Sequence, residues 1–259
     1  MIYTCYEMSR DCRADRPEGW AYFISNYVPA IRKLVAHYAA GDEKVLESVL
    51  RALRKPGSSL FQTLEEVPER WFLAELRQKV MVELVTQTPE IGIDLETVAS
   101  ALEPLTMVEK QAAWMETMRY QPAQIGPMLR MAPATVEKIR ERAADLVRGK
   151  VDQWNRNLLA DNGAELGRSA AAAGTNDCLT PKTFLDILDG RMTWRGREQL
   201  EHHVNACWHC IDHFSRMAEV VELLRGLQPL TEQEARPYRA LLGVQAPKRP
   251  VWKRFMGGS

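Results

Sequence analysis

Apolar residues recur at intervals of three and four along most of the chain, and no long Val/Ile/Thr-rich alternation interrupts them. That period belongs to helices with one buried face rather than to strands. From Trp20 to Tyr38 the stripe is Tyr22, Phe23, Tyr27, Ile31, Leu34, Val35 and Tyr38. Asp42 is placed to cap a second helix with the stripe Val45, Leu46, Val49, Leu50 and Leu53, stopped by Pro56-Gly57. Pro68 opens a third, carrying Trp71, Phe72, Leu76, Val80 and Leu84 and closing near Pro89. Residues 1–90 therefore read as one small helical bundle.

A linker around Thr88–Asp94 leads to a second helical block, residues 95–160. Its pattern gives a helix over Met107–Met118, a short one over Pro122–Leu129, a tight turn at Arg130–Pro133 and a longer helix from Ala134-Thr135. Residues 161–177 are polar and rich in Ala and Gly, which predicts a flexible linker, with a weak Ala-rich helix as the rival reading. A third helical block spans 178–245. The tail, 246–259, carries four basic and no acidic residues. The fold class is all-α: two small helical bundles and a short third helical domain.

Composition narrows the setting. Hydrophobic residues make up 46% and charged residues 26%, which suits a globular protein and argues against wholesale disorder. Basic and acidic residues number 34 each, so no global field points to nucleic acid or membrane. No apolar run nears the ~18 residues of a membrane span, and the N-terminus places charges where a signal peptide needs an apolar core. The expectation is a cytoplasmic protein with no membrane partner. In a reducing compartment its five cysteines do not make a disulfide framework.

Those cysteines carry the sharpest chemical signal. Cys207 and Cys210 lie among four of the five histidines: His202, His203, His209 and His213. His203, Cys207 and Cys210 stand at i, i+4 and i+7, on one stripe of a helix. One imidazole and two thiolates there suit a tetrahedral metal ion, and structural zinc takes a fourth protein donor. Cys178, 25 residues before His203 and just ahead of the helix begun by Thr180-Pro181, is the natural candidate. His213 is an alternative, able to replace His203 or Cys178. A catalytic zinc needs an open position; four protein donors leave none, so the expectation is a structural zinc and not an enzyme.

The second block has the layout of a helix-turn-helix. Ile125, Leu129, Val136, Ile139, Ala143 and Leu146 would pack its last two helices together, as that motif requires. Thr135, Lys138, Arg142 and Arg148 fall on the outer faces of the second, placed to reach DNA bases and phosphates. Residues 104–157 hold nine basic and six acidic side chains, with Glu137 and Glu141 among the bases.

Two resemblances follow from these motifs. CLTPKTFLDILDG…REQLEHHVNACWHC is similar to the zinc-binding anti-sigma domain, whose pattern is an upstream Cys or His, an Asp-Gly turn, then H-x3-C-x2-C. The resemblance implies the ligands Cys178, His203, Cys207 and Cys210, and a module that grips and occludes sigma factors. Residues 95–160 resemble region 4 of bacterial RNA polymerase sigma factors of the extracytoplasmic-function type. The first ninety residues loosely resemble region 2, through GWAYFISNYVPAIRKLVAHY, DEKVLESVLRALRKPGSSLF and ERWFLAELRQKVMVELV. In that family the last of these helices continues into an Arg-rich stretch, whereas Val80–Pro89 here holds no basic residue. The whole chain thus resembles a sigma factor joined to its own anti-sigma domain. Its implied partners are core RNA polymerase and promoter DNA, with an intramolecular contact between the zinc domain and the sigma-like domains. A tether of about 16 residues would give that contact an effective concentration of order millimolar, hence autoinhibition. A regulatory interaction protein that binds a sigma factor or polymerase without directing initiation is the alternative.

Overall fold

In the computed structural model the described residues are 3–39, 41–55, 59–61, 69–84 and 92–245. They form α-helices, one short 3-10 turn and no strand, so the chain is all-α. In order the helices are α1 (Cys5–Arg13), α2 (Pro17–Ala39), α3 (Glu43–Arg54), α4 (Glu69–Leu84), α5 (Leu95–Leu102), α6 (Met107–Thr117) and α7 (Pro122–Leu129). There follow α8 (Pro133–Arg148), α9 (Leu158–Asp161), α10 (Gly163–Ala172), α11 (Pro181–Leu188), α12 (Trp194–Ala206), α13 (Trp208–Leu224) and α14 (Glu232–Leu242). No described helix is long and apolar enough to cross a membrane. The predicted stop at Pro56-Gly57, the Pro68 start, the close near Pro89 and the basic tail lie outside the described residues.

The chain divides into two compact units, 1–86 with 223–259, and 87–222. In the first, α2 buries Trp20, Phe23, Tyr27, Ile31 and Leu34, and α4 buries Phe72 and Leu76. Phe72 meets Tyr27 edge-on with ring centres 4.9 Å apart, and Phe61 meets Trp20 likewise at 5.3 Å. Such contacts add to the area these rings remove from water. The unit also contains α1, which the sequence reading passed over. Its signal was present: Thr4 and Glu7 form a reciprocal capping box, the Thr4 hydroxyl accepting from the Glu7 N–H and the Glu7 carboxylate from the Thr4 N–H.

The third block, read as 178–245, does not stay together. Its residues from Leu223 onward group with the first unit, where α14 packs on α2 and α3. The Leu230 N–H donates to the Ser25 carbonyl at 2.8 Å, and Ala235 and Leu242 are buried.

In the second unit, the segment read as a flexible linker is helical over α10. Leu166 and Ala170 on one face of α10 join a core that also holds Val98, Leu102 and Trp114 of the preceding block and Phe184, Val204, Trp208 and Ile211 of the following one. An Ala-rich stretch has high helix propensity, and two apolar residues at i and i+4 suffice to dock it. Polar composition hid that stripe. The helix-turn-helix block and the Cys/His block consequently share one core.

Candidate metal centre

Thr193 caps α12, accepting a hydrogen bond from the Gly196 N–H, and α12 runs to Ala206, with His203 in its last turn. The helix then breaks. Cys207 adopts extended backbone (φ −108°, ψ 105°), and α13 begins at Trp208 with Cys210 in its first turn. This departs from the single helix face expected for His203, Cys207 and Cys210, for a physical reason. On an unbroken helix, residues seven apart are about 10.5 Å apart along the axis. No single ion bridges that span. With the helix broken at Cys207, Cys210 Sγ lies 3.3 Å from His203 Nε2.

Cys178 arrives on the turn before α11, whose start is fixed by Thr180 capping the Thr183 N–H. Its sulfur lies 3.6 Å from Cys207 Sγ. One donor atom from each of Cys178, His203, Cys207 and Cys210 falls within 4.8 Å of all the others. A tetrahedron with metal–sulfur bonds of ~2.3 Å has S···S edges of roughly 3.8 Å and S···N edges of roughly 3.6 Å. The 3.6 Å S···S and 3.3 Å S···N separations lie near those edges. They do not fit a disulfide, whose sulfurs bond at about 2.05 Å, and all five cysteines are free thiols.

Cys178 Sγ also receives the backbone N–H of Thr175 at 3.2 Å. Donors aimed at sulfur favour the thiolate over the thiol. At Cys178, burial raises the pKa, but the Thr175 N–H and hydroxyl and the neighbouring cysteines outweigh it, so the net shift is downward. Burial dominates at the other two, raising Cys207 and pushing Cys210 up to about 12. A metal ion supplies the positive charge that lets buried thiols ionise. These four residues can therefore hold a metal ion. His213, the alternative donor, stands outside the group: its ring packs against Phe184 with centres 4.6 Å apart.

Sequence reasoning missed the supports that flank the break. On α6, Lys110 is buried, and its ammonium donates to the Asn205 carbonyl at 2.8 Å. One turn on, Trp114 donates from Nε1 to Asp212 Oδ1 at 3.0 Å and packs its ring 5.2 Å from that of Trp208. Asp212 is also paired with Arg216, which donates to the Gly167 carbonyl on α10 at 3.0 Å. Beyond α6, the Tyr120 hydroxyl donates to the fully buried Glu219 at 2.5 Å. The i, i+4 pairing of a Lys and a Trp on α6 gave no hint, since Lys ordinarily marks a solvated face.

The helix-turn-helix residues lie in the same unit. Ile125, Val136 and Ile139 are buried with Ala112, Met115, Met118 and Tyr120, and Leu129 packs at their edge. The turn is tight: Arg130 adopts the left-handed conformation (φ 56°, ψ 43°). A Cβ on Gly126 would meet the Met131 carbonyl oxygen at 2.7 Å, so only glycine fits there. Thr135, Lys138, Arg142 and Arg148 are all exposed on α8. Arg142 pairs with Glu109 at 3.1 Å; Arg148 pairs with Asp145 at 3.1 Å and stacks over Trp154 at 5.4 Å. Arg140, which the sequence reading did not single out, is largely buried against Glu116. Burial raises the Glu116 pKa, with Arg140 opposing the shift.

Comparison of the chain with protein-family profiles, with curated proteins and with solved structures gives no match.

Proposed function

We propose that the chain is a transcription initiation regulator of sigma-factor type, held closed by its own metal module. The observation that carries this reading is the core shared by the helix-turn-helix helices and the Cys/His block, crossed by the Trp114–Asp212 and Tyr120–Glu219 hydrogen bonds. Helices α10 and α12 pack on α6, and α13 adds the polar links, while Thr135, Lys138, Arg142 and Arg148 on α8 remain exposed. The surface withheld in the closed form is thus that of α6, and core RNA polymerase is its intended occupant. Promoter DNA is the ligand of α8.

The metal is zinc in this proposal. Three thiolates and one imidazole form a soft donor set that suits zinc and disfavours magnesium or calcium. A closed set of protein donors gives a structural ion whose binding supplies folding free energy to the second unit.

Binding to bacterial core RNA polymerase tests the reading in the full chain. The double variant Asp212→Ala/Glu219→Ala cuts the polar links from the module side and leaves α6 and α8 unaltered. It should bind core polymerase at least tenfold more tightly than the zinc-loaded parent. Equal affinities in two folded proteins would remove autoinhibition.

One observation favours the second reading, a regulator that binds polymerase or a sigma factor without directing initiation. Two of the three basic side chains on the outer face of α8 are already paired with carboxylates, Arg142 with Glu109 and Arg148 with Asp145. Such pairing weakens the phosphate-attracting field. On that reading the double variant gains polymerase affinity but yields no promoter-specific transcript.

A further inference from the structure

We infer that helix α6 of the helix-turn-helix is an outer support of the metal centre, with Lys110 its principal positioning residue, so that the motif sets the metal's affinity. The inference rests on the reading that Cys178, His203, Cys207 and Cys210 hold zinc.

The chain breaks its helical course at Cys207. Helix α12 ends there, and the carbonyls of its last turn lose their helical partners. One of them, that of Asn205, is two residues past His203 and two before Cys207, and it accepts the Lys110 ammonium at 2.8 Å. Lys110 is 4% exposed, and burial lowers its pKa. A buried ammonium is costly unless it is hydrogen-bonded, so the Asn205 carbonyl and Lys110 each hold the other in place. A cation at a helix C-terminus also meets the negative end of the helix dipole.

Immediately beyond Cys207, Trp208 packs on Trp114, and Asp212 accepts the Trp114 N–H. Lys110 and Trp114, one turn apart on α6, therefore grip the chain on both sides of the ligand that sits at the break. Ligand groups held in register by outer partners bind metal more tightly, and loss of such a partner typically costs 10–100-fold in affinity. By linkage the effect is reciprocal: whatever draws α6 away from the module lowers metal affinity, and loss of the metal loosens α6.

The test is zinc affinity of the full chain, measured by competition with a chromophoric chelator, together with the absorption spectrum of the cobalt(II)-substituted protein. Lys110→Met keeps the apolar stem and removes the donor. It should lower zinc affinity about tenfold and shift the cobalt d–d bands, because the His203–Cys207 geometry relaxes. Trp114→Phe, which keeps a ring and loses the N–H, should lower affinity severalfold. Val136→Ala serves as the control for general loosening, since Val136 belongs to the other apolar cluster, away from the ligands. Unchanged affinity and spectrum in both α6 variants would overturn the inference. So would an equal loss in Val136→Ala at matched thermal stability. Absence of stoichiometric zinc from the parent protein would instead overturn the reading of the metal centre itself.

Discussion

Gly163 offers a substitution whose sign separates a docked helix from a free tether. It is the first residue of α10, and a Cβ added there would press into the Thr117 carbonyl oxygen and lie 2.7 Å from its carbon. The obstacle is backbone at the C-terminal end of α6, which no rotamer change can clear. Overpacking of this kind costs about 1–3 kcal/mol, and a rigid obstacle puts Gly163→Ala near the upper end. At roughly 4 °C per kcal/mol for a unit of this size, the melting temperature should fall by about 10 °C. Gly167, one turn further along α10, provides the matched control. A Cβ there meets only Arg216 Nη2, at an ordinary 3.8 Å. Gly167→Ala should therefore raise stability by up to about 1 kcal/mol, the usual gain of alanine over glycine within a helix. If the segment were a flexible linker, both alanines would be neutral or mildly stabilising through the unfolded chain. Thermal unfolding of the full chain, followed by circular dichroism at 222 nm, gives the answer. A Gly163→Ala protein that melts at or above the parent would refute the docking of α10 on α6.

Removal of metal donors should act on the second unit: Cys207→Ser or Cys210→Ser should abolish stoichiometric zinc, read by elemental analysis, and expose the 87–222 segment to limited proteolysis before the first unit is cut. Glu109→Gln preserves the N-terminal cap of α6 through its amide oxygen but releases Arg142. It should strengthen DNA binding and steepen its salt dependence by about one unit of log–log slope, while Lys138→Ala should do the reverse. A pH effect should come from His213, whose pKa is lowered to about 4 by burial, then by the charges of Arg216 and His209. The unfolded chain protonates near 6.5 and the folded one near 4, so this contribution is complete above pH 6.5 and is lost as pH falls towards 4. Its size is at most about 3 kcal/mol. Acid unfolding of His213→Leu should be flatter than that of the parent across that window, and parallel curves would exclude the residue.

The all-α class and most helix positions were legible because amphipathic stripes are written in residue type. The grouping of Cys178, His203, Cys207 and Cys210, which could hold a metal ion, was legible for the same reason: Cys and His at close spacing are scarce and chemically distinct. The break at Cys207 was not. Spacing of i, i+4 and i+7 suits a straight helix equally well, and only the size of an ion requires a bend. The docking of α10 was obscured because its contact rests on Leu166, Ala170 and the absence of a side chain at Gly163. Nor was the division into units legible, since the grouping of α14 with α2 and α3 pairs segments nearly two hundred residues apart. The roles of Lys110 and Trp114 depend on partners about a hundred residues away, which no local pattern encodes.

Transcription by the opened chain decides whether the protein directs initiation. Bacterial core RNA polymerase would be combined with full-length Asp212→Ala/Glu219→Ala protein on a pool of genomic promoter fragments, and the 5′ ends of the transcripts mapped. Defined start sites that share an upstream sequence are expected, strong with the variant and weak with the zinc-loaded parent. Transcripts no different from those of core polymerase alone, from a variant that binds the polymerase tightly, would contradict initiation by this chain.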